Sequence, residues 1–180
     1  MVHERGYYTD PQEWEHGVCE ASLIKSILEL FEIKTVVDLG CGNGNYTRQF
    51  LANGISCEGY DGNPLTEELT EGLCHVLDIT YPLDLGKFDL VFSLEVGEHI
   101  PPEFEQQFID NCCNSSNKYI ACSWAHPGLE WEGHVNCQTS EYVIAEFEKR
   151  GFMYNEEATS FIRKNNTGYL HLNSIMVFEK

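Results

Sequence analysis

Positive charge is scarce in this chain: 11 of its 180 residues are Lys or Arg against 29 Asp and Glu, a formal net charge of −18. Affinity for a polyphosphate rests heavily on Lys and Arg contacts, so nucleic acid is not expected as a partner, and the acid excess reads as a solvated surface. Long apolar runs are also missing. Nothing approaches the roughly 20 consecutive apolar residues that a membrane-spanning helix needs, and the polar amino terminus carries no secretory leader pattern. The expectation is a soluble, cytoplasmic protein with no membrane partner. Metal-type cysteine spacing is absent too. Cys112 and Cys113 are adjacent, Cys41 lies in a glycine-rich turn, and Cys57, Cys74 and Cys122 fall in or beside apolar runs. Reduced, packed thiols fit that pattern better than a disulfide scaffold. No internal repeat and no linker divide the chain, whose length suits one domain with a sizeable core.

What is present is organised around residues 35–46. Thr35-Val-Val-Asp-Leu39 is a buried-strand pattern of β-branched residues, followed by Gly40-Cys-Gly-Asn-Gly44 and a helix entered at about Tyr46. The glycines let the chain turn sharply and let its backbone approach a ligand at the carboxyl end of a strand, where an open α/β sheet binds its cofactor. The spacing is Gly-x-Gly-x-Gly, not that of a dinucleotide fingerprint, and no phosphate-loop Lys follows, so a pyrophosphate ligand is not expected.

With its Val-Val-Asp-Leu lead-in, the stretch resembles motif I of the class I S-adenosylmethionine (SAM)-dependent methyltransferases. The resemblance implies SAM as cofactor and a Rossmann-like α/β fold: a seven-stranded, mostly parallel sheet with a reversed last strand and helices on both faces. Residues 1–180 would then be one domain, with an amino-terminal lid and helix region at 1–33 and the sheet core at 34–180. Cofactor residues at the first turn would be Asp38, Gly40, Cys41, Gly42 and Tyr46. A second strand, Ile55–Asp61, ends in an acid at the distance from the turn at which a carboxylate accepts from a ribose diol. Gly62 and Asn63 join Asp61 in the cofactor set; Asp61-Gly62-Asn63-Pro64 also has strong turn chemistry, and both roles can hold together. Asp78 and Ile79, ending a third strand over 74–79, match the family's adenine-bracketing positions, with a turn or helix-capping role for Asp78 as the alternative. Leu94 closes the cofactor set.

The richest chemistry follows a fourth strand at Phe88–Leu94. Glu95, Glu98 and His99 are spaced Glu-x-x-Glu-His, and a helical turn over 95–99 would place all three on one face. His134 sits in the long loop after a fifth strand at about Lys118–Cys122, which leaves the same sheet edge, and supplies a fourth ligand. Two carboxylates and two neutral imidazoles suit a hard or borderline divalent cation, Mg²⁺ or Mn²⁺, with positions left for substrate oxygens. The alternative makes His99 a base or packing residue. The Glu-x-x-Glu-His turn with a later histidine resembles the metal-assisted O-methyltransferases that act on the terminal ribose of small RNAs and in ubiquinone synthesis. The run 93–102 with Gly133-His-Val-Asn is also similar to sugar O-methyltransferase domains of large DNA viruses.

On these resemblances Glu98, His99 and His134 are catalytic as well as ligating, and the acceptor is a hydroxyl of a vicinal diol on a sugar, glycan or other small polyhydroxyl molecule. A cation holding vicinal oxygens would lower the acceptor pKa and fix its position. The sequence leaves the proton acceptor open among His126, His16 and the metal site itself. Tyr7, Tyr8, Trp14, His16 and Trp124, with Trp131, are candidate substrate-facing groups; packing of the amino-terminal segment across the sheet edge is the alternative. Arg5, Arg163 and Lys164 are the obvious cations for an RNA 3′ end, too few to favour that acceptor. A metal-independent small-molecule N- or carboxyl-methyltransferase stays open, as does a non-catalytic SAM-binding module, against which the charged cluster argues. The remaining periodicity predicts helices over Gln12 to about Phe31, Thr66–Glu71, Phe104–Cys113 and Thr139–Arg150, and final strands over 152–162 and 170–179.

Overall fold

The computed structural model describes residues 1–9, 19–129, 131–166 and 173–180. Trp14, His16 and the start of the first expected helix lie outside them. The described part of that helix is α1, Ala21–Leu30. In chain order there follow β1 (Thr35–Leu39), α2 (Asn45–Ala52), β2 (Ser56–Asp61), α3 (Thr66–Leu69), β3 (His75–Val76) and β4 (Phe88–Ser93). The carboxyl-terminal half contains α4 (Pro102–Ser115), β5 (Ser116–Cys122), α5 (Ser140–Glu148), β6 (Met153–Tyr154), α6 (Glu156–Asn165) and β7 (Met176–Glu179).

These strands form one seven-stranded sheet in the order β3-β2-β1-β4-β5-β7-β6. β1 to β5 are parallel, and β7 runs antiparallel to both β5 and β6. The reversed strand is thus last in sequence but inserted one place in from the edge. Both faces are covered, which is why the central strands read as continuous apolar runs and not as alternations. Val36, Leu90, Phe92 and Val177 pack with α1, Phe50 of α2 and Ile162 of α6. On the other face Val37, Val91, Ile120 and Phe178 pack with Phe108 of α4 and Phe147 of α5. Consecutive residues Val36 and Val37 fall in opposite layers, as the two-residue period of a strand requires. Among the described residues no helix is long and apolar enough to cross a membrane, and all eight cysteines are free thiols.

Two expectations for the fold need correction. The third strand is far shorter than residues 74–79, because after Val76 the chain turns through the Asp78–Thr80 hydrogen bonds. The stretch expected as a strand over 152–162 is mostly helix α6. Its start is written in side-chain chemistry: Asn155 Oδ1 accepts from the Ala158 N–H at 2.9 Å, Glu156 and Glu157 occupy the first turn, and Arg163 and Lys164 the last. That distribution satisfies the helix dipole at both ends. Replacing Asn155 by Ala should therefore cost about 1 kcal/mol in urea unfolding and increase amide exchange at Ala158; an unchanged midpoint would show that the cap does not hold this helix.

Candidate active site

Where β1, β2 and β4 end, their loops enclose a cavity of about 360 Å³. The glycine turn forms its floor. Gly40 and Cys41 N–H both donate to the Tyr60 carbonyl, at 2.8 and 3.0 Å, and Gly42 N–H donates to Asp61 Oδ2 at 3.0 Å. Gly40 has φ +79°, and a Cβ there would lie 2.4 Å from the Val96 side chain, so only glycine fits. Gly40, Cys41, Gly42 and Tyr46 line the cavity from the first loop, Asp61 and Gly62 from the second, Asp78 and Ile79 from the third, and Leu94 from the fourth.

Two expected cofactor residues lie elsewhere. Asp38 is buried outside the cavity lining, accepting from Thr47 Oγ1 at 2.8 Å, and burial pushes its carboxyl up to about 7. Asn63 is also buried outside the lining, its Oδ1 accepting from the Leu65 N–H. Both build the turns that shape the cavity. Asp61 remains a wall residue: its oxygens take the Gly42 and Asn63 N–H groups, while burial raises its pKa.

The amino terminus folds over this cavity as a small hairpin, with Val2 and Tyr8 bridged. Gly6, with φ +95°, is pressed so closely on the His99 carbonyl that a Cβ would lie 2.0 Å from it. Tyr7 packs on Gly62, Tyr8 Oη donates to the Glu132 carbonyl at 2.9 Å, and the Tyr8 ring meets His99 edge-on with centroids 5.4 Å apart. Arg5 packs in the same segment. Its guanidinium is held between the rings of Tyr81 and Phe104, at 4.1 and 4.4 Å, bonds Thr80 Oγ1 at 2.7 Å and lies 3.7 Å from Asp78. Asp78 Oδ1 meanwhile accepts from both the Thr80 N–H and hydroxyl. Asp78 therefore combines the turn role with a place in the cavity wall. Thr80, Val96 and Ile100 also line the cavity and carried no distinguishing signal in the sequence.

At the rim, Glu98, His99 and His134 each bring a ligand-type atom within 4.8 Å of the other two. Glu98 is completely buried, and neither carboxylate oxygen has a hydrogen-bond partner; Glu95 and the Ala125 backbone lie near it without bonding geometry. Desolvation first, and then the charge of Glu95, push its pKa well above the usual carboxyl range. His99 Nδ1 is 3.0 Å from the Gly133 carbonyl and His134 Nδ1 is 2.9 Å from the Leu129 carbonyl. A carbonyl only accepts, so each ring donates through Nδ1, which leaves Nε2 as the nitrogen that can ligate. Metal-ligating imidazoles are characteristically oriented in this way by a backbone acceptor. Burial, and then the neighbouring His134, lower the His99 pKa to about 4, which keeps that ring neutral.

The expectation of four ligands on a helical face is corrected here. Glu95 has φ +56°, outside the helical region, and only Gly97–His99 form a single 3₁₀ turn. Its backbone N–H and its Oε1 are both engaged by Ser123 Oγ, at 2.7 and 2.6 Å, so it lines the cavity beside the cluster without joining it. His126 is also apart, with Nε2 3.2 Å from Ser140 Oγ at the start of α5. Trp124 is core: 2 % exposed, packed on Gly97, with Nε1 donating to the Asn136 carbonyl.

A family model described as a methyltransferase domain matches residues 12–157. The chain belongs to the methyltransferase-domain family. Over 94% of its length this methyltransferase superposes on 95% of a TehB-like SAM-dependent methyltransferase from Corynebacterium glutamicum, with TM-score 0.69 and 15% identity. A magnesium protoporphyrin IX methyltransferase from Synechocystis PCC 6803, with S-adenosylhomocysteine bound, matches at TM-score 0.65 and 16% identity over 93% of this chain and 81% of that one. Fold, domain match and cavity together make it a class I SAM-dependent methyltransferase. Among curated proteins it is 33% identical over 114 residues to a probable tocopherol O-methyltransferase of Oryza sativa subsp. japonica, covering 54% of this chain and 31% of the rice protein. It is 29% identical over 147 residues to the tocopherol O-methyltransferase of Arabidopsis thaliana, covering 62% and 42%. The matched region spans less than half the length of either plant protein.

The depressed His99 pKa has a measurable sign. On acidification the unfolded imidazole takes its proton near its ordinary 6.5 and the folded one near 4, so His99 makes the metal-free protein lose stability as pH falls through that window. Titration by nuclear magnetic resonance should show the His99 ring neutral down to about 4; a midpoint near 6.5 would mean the ring is not desolvated.

Proposed function

We propose that this methyltransferase is a divalent-metal-assisted O-methyltransferase whose acceptor is a hydroxyl of a vicinal diol on a sugar or other small polyhydroxyl molecule. The observation that carries the reading is the Glu98–His99–His134 cluster at the rim of the cofactor cavity. A buried carboxylate without a donor is costly, and two imidazoles tied through Nδ1 offer lone pairs beside it. Such a set fits Mn²⁺ or Mg²⁺. Held there, the cation would supply Lewis acidity to an acceptor hydroxyl, while SAM supplies a methyl group on an electrophilic sulfonium.

The chain's own residues provide the rest. Gly40 and Gly42 let the first loop meet the cofactor by its backbone, Asp61 and Gly62 form the second wall, and Asp78 with Ile79 the third. The amino-terminal hairpin, through Gly6, Tyr7 and Tyr8, covers the cavity and keeps water from the transfer point. His99 and His134, each oriented through Nδ1 by a backbone carbonyl, are ligands in this reading and not bases. Glu95, with its carboxylate beside the cluster and oriented by Ser123, takes the proton from the acceptor hydroxyl. The net charge of −18 favours an uncharged acceptor over an RNA end. Oxygen as the accepting atom agrees with the plant relatives, which are named tocopherol O-methyltransferases. A metal-independent transfer to a small molecule is the competing reading; in it Glu98 keeps its proton and the convergence of His99 and His134 on it has no role.

The test is S-adenosylhomocysteine release over a panel of sugars, catechols and short RNAs, with Mn²⁺ or Mg²⁺ and again with EDTA. Turnover on a diol should vanish with EDTA. His134→Ala should lose at least the about tenfold to hundredfold that loss of an outer-shell partner costs a metal site. Turnover indifferent to EDTA would sink the metal reading.

A further inference from the structure

Resting on the metal reading of the rim cluster, we infer that Asn136 and Glu105 are positioning residues that fix the distance between the ligand pair Glu98–His99 and the loop ligand His134. Neither touches the cluster through its side chain. Asn136 lies two residues beyond His134, is 4 % exposed and uses all four of its polar groups. Its N–H donates to the Glu98 carbonyl at 2.9 Å, alongside the Val135 N–H at the same distance. Its carbonyl accepts from Trp124 Nε1 at 2.7 Å and its Oδ1 from Gln138 Nε2 at 2.8 Å. Its Nδ2 donates to Glu105 Oε2 at 2.7 Å.

Glu105 is the anchor. It stands in the first turn of α4, where the helix dipole favours negative charge, and it too is 4 % exposed. Its oxygens accept from Tyr142 Oη at 2.5 Å, Gln106 Nε2 at 3.0 Å and Gln138 Nε2 at 3.4 Å besides Asn136. A buried carboxylate held by neutral donors alone is an expensive way to tie down a loop, and these bonds end on the backbone of Glu98 itself. Glu98 and His134 belong to segments far apart in sequence; Val135 and Asn136 both hydrogen-bond the Glu98 carbonyl, and of the two Asn136 is the one whose side chain ties that link to Glu105. The loop tip tolerates no wide excursion: a Cβ at Gly133 would meet His99 Nδ1 at 2.9 Å and Tyr8 Oη at 3.0 Å. A carbonyl at Gly133 that drifts also releases the His99 tautomer it sets.

The experiment measures Mn²⁺ affinity by the electron paramagnetic resonance signal of free Mn²⁺, and S-adenosylhomocysteine affinity by calorimetry, on the whole chain. Asn136→Asp, which sets a carboxylate against Glu105, should weaken Mn²⁺ about tenfold to a hundredfold and leave S-adenosylhomocysteine affinity within about twofold. Tyr142→Phe removes one bond from the half-exposed far side of Glu105 and keeps the question answerable if Asn136→Asp does not fold; it should give a smaller, several-fold loss of Mn²⁺ alone. Wild-type affinity for Mn²⁺ in both variants would overturn the inference while leaving the metal reading intact. Equal losses of Mn²⁺ and S-adenosylhomocysteine would overturn it in favour of a general structural role. Absence of Mn²⁺ binding by the wild-type chain would instead overturn the metal reading beneath it.

Discussion

Glu98 places a carboxylate in the interior with no donor for either oxygen. Its main chain is well held, because the carbonyl takes two N–H groups from residues 135 and 136. An unpaired buried charge costs several kcal/mol in a protein interior, and here the Glu95 carboxylate nearby raises that cost. Two outcomes relieve it: the carboxyl keeps its proton, or a cation takes its place. The neutral His99 ring beside it adds no charge of its own, and His99 and His134 each commit Nδ1 to a carbonyl, which leaves Nε2 for the second outcome. The rest of the rim follows from that constraint.

The same logic explains how an acidic chain distributes its few cations. Arg5 is placed between two aromatic rings at the cavity wall, close to Asp78. Stacking and a hydroxyl partner hold its planar guanidinium where a lysine ammonium would have neither. By this contact the amino-terminal hairpin is tied to the third loop, and by Gly6 and Tyr8 to the first residues after β4. One short segment thus spans the cavity from the cofactor wall to the rim cluster. It also brings together residues from opposite ends of the chemistry, which a parallel sheet achieves only at the carboxyl ends of its strands.

The structural neighbours, at 15% and 16% identity, share this fold. The plant proteins are closer in sequence but much longer than the matched region. The sheet is what these proteins have in common, and a shared sheet does not by itself fix an acceptor.

Local chemistry made much of this legible. The β-branched strand and the glycine turn at 35–46 announce themselves because hydrophobic period and positive φ are properties of a few adjacent residues. Asp61, Asp78 and Ile79 could be placed in the cavity wall because strand ends of a parallel sheet converge on one edge. The misreadings came where a local pattern met a tertiary decision. Glu95 left the expected helical face through a single left-handed φ, stabilised by Ser123 from β5's end. Trp124 went to the core because an asparagine carbonyl satisfies its indole N–H. His126 turned to α5, Asp38 was covered by α2, and residues 156–165 became helix once Asn155 was free to cap. The sequence by itself determined the central strands, the glycine turn and the residue types of the rim cluster. The tertiary structure alone decided which of those residues meet, because hydrogen bonds between distant segments, and not spacing along the chain, set the positions of Glu98, His99 and His134.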